Sequence, residues 1–160
     1  MSLLSNEDLN TERTIIETII HIYKVQKLLA YCISELQERL INHDKSKILS
    51  DELNGFTNAN KLLSDMTYGS EEYFKNLEHL KETIEHHYQL NRHHPQHFKN
   101  GINDMTLIDL LEMTCDWIAS SERSKNGNVM LSLQIQKQRF QIEEQLFQII
   151  KNTIHILDAK

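Results

Sequence analysis

IIETIIHIYKVQKLLAYCISELQERL, residues 15–40, decides the fold class. Ile15, Ile19, Ile22, Val25, Leu29, Cys32, Leu36 and Leu40 recur at steps of three and four, the repeat that gathers side chains on one face of an α-helix. A half-buried strand would alternate apolar and polar residues instead. The spacing predicts a first long helix over about residues 11–41.

The same repeat returns along the chain. INHDKSKILSDEL (41–53) breaks the rhythm, and Ser50 with Leu53 and Phe56 opens a second helix that continues to about Asp65. Tyr68-Gly69-Ser70 reads as a turn. Ser70 can cap a helix with Glu71 and Glu72 in its first turn, where carboxylates suit the helix dipole. That helix runs to about Leu90 on a face of Tyr73, Leu77, Leu80, Ile84 and His87. Residues 91–103 form a loop holding the chain's one proline, Pro95. Thr106 opens a helix through Ile108, Leu111, Cys115 and Ile118, and residues 121–128 form a polar loop. A last helix over about 129–157 uses Leu131, Ile135, Phe140, Ile142, Leu146, Ile149, Ile150, Ile154 and Leu157. Four glycines and one proline in 160 residues suit so helical a chain, because Gly and Pro punctuate strands and turns. With no repeat, low-complexity tract or linker, the expectation is one all-α domain, a helical bundle over residues 1–160.

A chain of this length buries roughly 68–70% of its unfolded surface. It needs no structural metal or disulfide, so a metal site in it would be functional. The net charge of −6 and a pI near 5.8 argue against strong nucleic-acid binding, which draws on clustered Lys and Arg. No run of eighteen apolar residues offers a membrane span. The start, MSLLSNEDLNTER, lacks the basic stretch and apolar core of a signal peptide. Cys32 and Cys115 lie in apolar helical patterns without CxxC spacing and read as buried, reduced thiols of a cytoplasmic protein. Composition leaves the oligomeric state open.

HHYQLNRHHPQHF, residues 86–98, holds five of the nine histidines. Histidine combines a near-neutral pKa with a nitrogen lone pair for a metal. His87 continues the Leu77, Leu80 and Ile84 face and is expected to point inward, whereas His86 lies on the flank. His93 and His94 follow in a loop that Pro95 stiffens. His79, His97 and His155 read as surface residues. His21 sits on the first apolar stripe and should also point inward, as a core histidine or as a ligand. His43-Asp44, in HDKSK, could turn an imidazole nitrogen and a carboxylate toward one divalent cation. Lys47, one turn on, could hold an anionic substrate or be solvated. Glu112 and Asp116, four apart in LLEMTCDW, share a helix face beside apolar residues. Carboxylates at a core boundary need a cation or hydrogen bonds.

The order of these elements, a helical His, an adjacent His-Asp, a His cluster and a helical Asp, resembles the HD-domain superfamily of metal-dependent phosphohydrolases. HDKSK is similar to the HD-x-[GS]-K stretch of many members. HDKSK, H-x-x-x-N-x-HHP at 87–95 and GINDMTLIDLLEMTCDW at 101–117, with RFQIEEQL at 139–146 and Asn152-Thr153, more closely resemble a small uncharacterised bacterial and phage family related to that superfamily. The resemblance covers most of the chain and implies a single HD-like domain. It implies His21, His43, Asp44 and Asp116 as ligands of a shared metal, with His87 and His93, and His94 as an alternative, at a second one. The Glu-Asp arrangement of some nucleotidases in the superfamily is not recognisable here.

The expected activity is hydrolysis of a nucleotide or another small phosphate ester. One or two divalent transition-metal ions (Mn, Fe, Co, Ni or Zn) would serve, since mixed N/O ligation suits all five. Asp44 is placed to bridge two ions and Glu112 to orient a ligand or shuttle a proton. Lys47 and Arg123 are candidates to hold the phosphate. Two alternatives use the same residues: an HD-type di-iron oxygenase, and a non-enzymatic metal-containing module that binds or sequesters a nucleotide.

Overall fold

The chain is all-α. The structure, a computed structural model, describes residues 6–63, 80–122 and 127–158. Six α-helices occur among them: α1 Asn6–Asn42, α2 Ser50–Leu63, α3 Lys81–Leu90, α4 Leu107–Glu122, α5 Val129–Arg139 and α6 Glu144–Asp158. Three 3-10 turns, Lys45–Ile48, Pro95–His97 and Gly101–Asp104, fill the connections. No strand occurs among the described residues. The expected cap at Ser70 and the helix start after it lie outside them.

The chain divides into two units, Met1–Ile41 and Asn42–Lys160. The first is the long helix α1, which runs further in both directions than its apolar stripe. Its stripe residues Ile15, Ile19, Ile22, Val25 and Leu29 are exposed, as is Cys32.

The second unit packs its core between α4, α5 and α6: Met113, Trp117, Leu133, Ile142, Phe147, Ile150 and Ile154 are buried together. Each such side chain stabilises the unit by about 1.5–3 kcal/mol. The buried line of α4 is Asp109, Met113, Thr114 and Trp117, not the line through Leu111 and Cys115. The helix is therefore rotated from the expected phase, and Cys115 is exposed rather than buried. The rotation puts Met113 and Trp117 in the core, with Leu110 and Ile118 partly buried beside them.

The last helix is two helices rather than one. α5 ends at Arg139 with Phe140 as its cap, and Gln141 turns into the left-handed region at φ 51°. The Ile142 N–H reaches back to the Lys137 carbonyl at 2.9 Å and the Gln141 N–H to that of Gln138 at 3.4 Å. This is the Schellman pattern of helix ends. The usual glycine is missing, which hides the stop in the sequence. Burial of Ile142 in the core offsets the strain of a left-handed glutamine.

Two local contacts position the elements that carry the site. A Cβ on Gly55 would lie 2.1 Å from Thr83 Oγ1, so the absence of a side chain lets α2 approach α3 closely. At the start of α4, Thr106 Oγ1 accepts from the Asp109 N–H at 3.2 Å while Asp109 Oδ2 accepts from the Thr106 N–H at 2.9 Å. That reciprocal pair is a capping box with Asp in the usual Glu position. Arg92 donates to both oxygens of the same carboxylate at 3.0 Å. Asp109, fully buried, thus ties the histidine loop to α4.

Candidate metal centre

The residues after α1 do not continue the helix, because Asp44 adopts φ 55°, a left-handed conformation that Asp tolerates better than most residues. Its carbonyl accepts the Lys47 N–H at 2.9 Å, but its side chain makes no capping bond. The carboxylate is left to face the histidines.

Three imidazoles meet it. His87 Nε2 lies 3.2 Å and His93 Nε2 3.4 Å from Asp44 Oδ1, and His43 Nε2 lies 3.7 Å from Oδ2. Asp116 Oδ1 is 3.8 Å from the same His43 nitrogen, and His94 Nε2 is 3.0 Å from His87 Nε2. Possible ligand atoms of Asp44, His87, His93 and His94 lie within 4.8 Å of one another, and so do those of His43, Asp44, His93 and Asp116. Asp44 and His93 belong to both groups. Six of the expected ligands are therefore brought together within the second unit. His21, expected to point inward, is exposed on α1 in the first unit.

The far sides of the rings are held by carboxylates. Glu112 Oε1 lies 3.0 Å from His43 Nδ1 and 3.3 Å from His93 Nδ1. Glu52, only 1% exposed, accepts from His87 Nδ1 at 2.9 Å, from His86 Nδ1 at 2.9 Å and from Ser46 Oγ at 2.8 Å. Asn91 completes this shell, donating to Ser46 Oγ at 2.9 Å and to the His87 carbonyl at 2.8 Å. A carboxylate on Nδ1 fixes the tautomer that presents Nε2 with a free lone pair. Glu112, expected to orient a ligand or shuttle a proton, lies against the Nδ1 atoms of His43 and His93. Glu52 was not foreseen: it sits next to Asp51 in a polar stretch, and only its 35-residue separation from His87 is closed by packing. The flank position of His86 holds, since it is half-exposed and touches Glu52 rather than Asp44.

Electrostatics fit this wiring. Burial works against the charge on Asp44, but the His87 imidazole and the Lys47 ammonium beside it outweigh burial and hold the carboxyl well below its ordinary range. Glu52 behaves alike: burial opposes its charge, and Ser46, His87 and His86 prevail to lower its pKa. The bond to Glu112 raises the His43 pKa, against a smaller opposing effect of burial. Burial first, then the neighbouring charges of His93, His87 and Lys47, push His94 down to about 2. Lys47 Nζ sits 2.5 Å from Asp44 Oδ2. His97, expected at the surface, is half-buried with Nδ1 3.0 Å from the Tyr88 carbonyl. Arg123 and His79 lie outside the described residues.

Several polar atoms in the centre lack hydrogen bonds. Asp44 Oδ1 and both ring nitrogens of His93 are buried without a partner; their neighbours at 3.2–3.4 Å lie outside hydrogen-bond geometry. An unpaired buried polar group costs stability. Lone-pair atoms of like polarity, a carboxylate oxygen and imidazole nitrogens, converging without a proton between them are the arrangement that a cation satisfies, and the N/O donor set fits a divalent transition metal.

The chain belongs to a family of unknown function, DUF5662, which its residues 10–156 match. No curated protein matches the chain. No solved structure matches it either.

Proposed function

Since that family carries no activity in its description, we propose from the centre alone that this protein is a metal-dependent phosphohydrolase of HD type, acting on a nucleotide or another small phosphate ester. One or two ions among Mn, Fe, Co, Ni and Zn would be held by His43, Asp44, His87, His93, His94 and Asp116. The observation that carries the reading is the set of buried, unpartnered atoms on Asp44 and His93. Two groups of possible ligands that share Asp44 and His93 would suit a pair of ions.

Bound there, divalent ions activate water near neutral pH and offset the charge that gathers on phosphoryl oxygens. The chain's own groups do the rest. Glu112 and Glu52 keep the imidazoles in the productive tautomer, which leaves each Nε2 free to ligate. The Lys47 ammonium, beside Asp44, has only donors to offer. It therefore contacts a phosphoryl oxygen rather than a metal.

Elemental analysis joined to a phosphatase screen across added metals tests the reading. The expected result is bound transition metal and hydrolysis that Lys47→Ala lowers at least tenfold with metal content unchanged, loss of such a contact being worth ~2–4 kcal/mol. Wild-type hydrolysis untouched by Lys47→Ala would remove Lys47 from the mechanism. Phosphate-ester binding with no turnover under any metal would replace the hydrolase by a nucleotide-sequestering module. Visible absorption from bound iron, again without hydrolysis, would point to the oxygenase.

A further inference from the structure

A cavity of about 460 Å³ opens beside the centre within the second unit, and the possible ligands His94 and Asp116 form part of its wall. The space is on the scale of a small-molecule pocket. One carboxylate and one guanidinium stand on that wall, Asp116 and Arg139, and among the described residues no lysine or second arginine joins them. With Asp116 turned to a metal ion, Arg139 is the charge that a ligand in the cavity meets.

Arg139 is not otherwise engaged. Lys137, two residues before it, pairs with Glu144, and Arg92 pairs with Asp109, but Arg139 has no carboxylate partner among the described residues. Nor does it cap the helix that it ends. The carbonyls of Gln136, Lys137 and Gln138 already accept the N–H groups of Phe140, Ile142 and Gln141. Its Cζ lies 4.9 Å from the centre of the Phe140 ring, a contact that draws on the charge and needs none of the five N–H donors. The residue is exposed, so a ligand can reach it. The same ring places the guanidinium toward the metal. Phe140 lies parallel to Trp117 with ring centres 6.3 Å apart, and Trp117 follows Asp116 directly on α4.

We propose that Arg139 is the arginine that holds the phosphate, its guanidinium donating to two oxygens of the phosphoryl group of a ligand in this cavity. The planar fork of arginine matches a phosphate in that way, whereas an ammonium acts as a point charge. This rests on the phosphate-ester reading of the centre. Arg139 takes a role for which the sequence offered Lys47 and Arg123, and the ligand class is a phosphate monoester recognised by a guanidinium as well as by metal.

Isothermal titration calorimetry of the full-length protein loaded with Mn²⁺ compares inorganic phosphate, adenosine 5′-monophosphate and adenosine on wild type, Arg139→Gln and Arg139→Lys. Wild type is expected to bind both phosphates. Arg139→Gln should weaken both by the same factor, on the order of 10- to 100-fold, as losing hydrogen bonds to a charged group does. Arg139→Lys keeps the charge without the fork and should fall between. Any binding of adenosine, which has no phosphoryl group, should be equal in all three proteins. Mn²⁺ affinity should stay unchanged, since a guanidinium offers no lone pair. A merely structural role would move the melting temperature and leave the phosphate constants alone. The assignment is overturned if Arg139→Gln binds the two phosphates as wild type does, if wild type binds neither, or if the loss is confined to the nucleotide. Arg139-dependent binding with no ester hydrolysed would sink the hydrolase reading and leave the arginine's role standing. Hydrolysis with an unchanged kcat/KM in Arg139→Gln would do the reverse.

Discussion

Replacing Glu52 tests how the centre is wired, because this carboxylate touches no shared ligand position and acts only through His87. Its Oε2 accepts from His87 Nδ1 at 2.9 Å and from Ser46 Oγ at 2.8 Å, and its Oε1 from His86 Nδ1 at 2.9 Å. Glu52→Gln keeps the shape but turns a charged acceptor into a neutral one. The amide oxygen can still serve His87 and Ser46 if the NH₂ faces His86, which is half-exposed and can turn to water. Bonds to a charged partner are roughly twice as strong as neutral ones, so the loss is about 1–1.5 kcal/mol, or about tenfold in metal affinity. Glu52→Ala leaves His87 Nδ1 only the Ser46 hydroxyl, at 3.2 Å, and should cost up to about 100-fold, the upper range for such supporting groups. His86→Ala removes only the outer contact and should stay within about threefold. Competition of Mn²⁺ or Zn²⁺ against a chromophoric chelator reads all three, with thermal melts of the metal-free proteins as the control for folding. Wild-type metal affinity in Glu52→Ala, or a His86→Ala loss equal to it, would refute the wiring.

Asp44→Ala should abolish metal binding while the second unit keeps its far-UV circular dichroism, since its core lies among α4, α5 and α6; retained metal would remove Asp44 from the centre. Acidification should release metal: the raised His43 pKa means that its proton competes at higher pH than that of a free imidazole. Affinity should therefore fall on acidification and begin to do so above the free imidazole pKa of about 6.5, and a flat profile would contradict His43 as a ligand. Gln141→Gly should stabilise the protein by about 0.4–1 kcal/mol in urea denaturation, because glycine adopts the left-handed turn without strain; a destabilised variant would show that the glutamine side chain matters more than its backbone. Asp109→Asn should destabilise by about 1.5–3 kcal/mol near neutral pH through loss of the charged pair with Arg92. Burial opposes the Asp109 charge, but Arg92 and Thr106 prevail and lower its pKa. Its contribution is therefore present above the unfolded carboxyl pKa of about 3.9 and disappears as pH falls through the lower folded value. The wild-type advantage should shrink there, and an advantage unchanged at acid pH would argue against an ionised Asp109.

The sequence by itself determined the helical class and some helix bounds, because steps of three and four leave a record in the order of residues. It also singled out His43, Asp44, His87, His93, His94 and Asp116, through unusual composition, adjacency in HDKSK and the phase that separates His87 from His86. What it could not encode locally is what packing decided. The rotation of α4 depends on which apolar side chains win the core, so Met113 and Trp117 are buried and Cys115 is not. The break at Gln141 depends on Ile142 being worth more in the core than the turn costs, a comparison that no residue type announces. Glu52 looks like an ordinary polar residue in an ordinary helix. Only the tertiary structure, by burying it against His87, gave it a role, because burial is what makes a polar atom's partner energetically decisive.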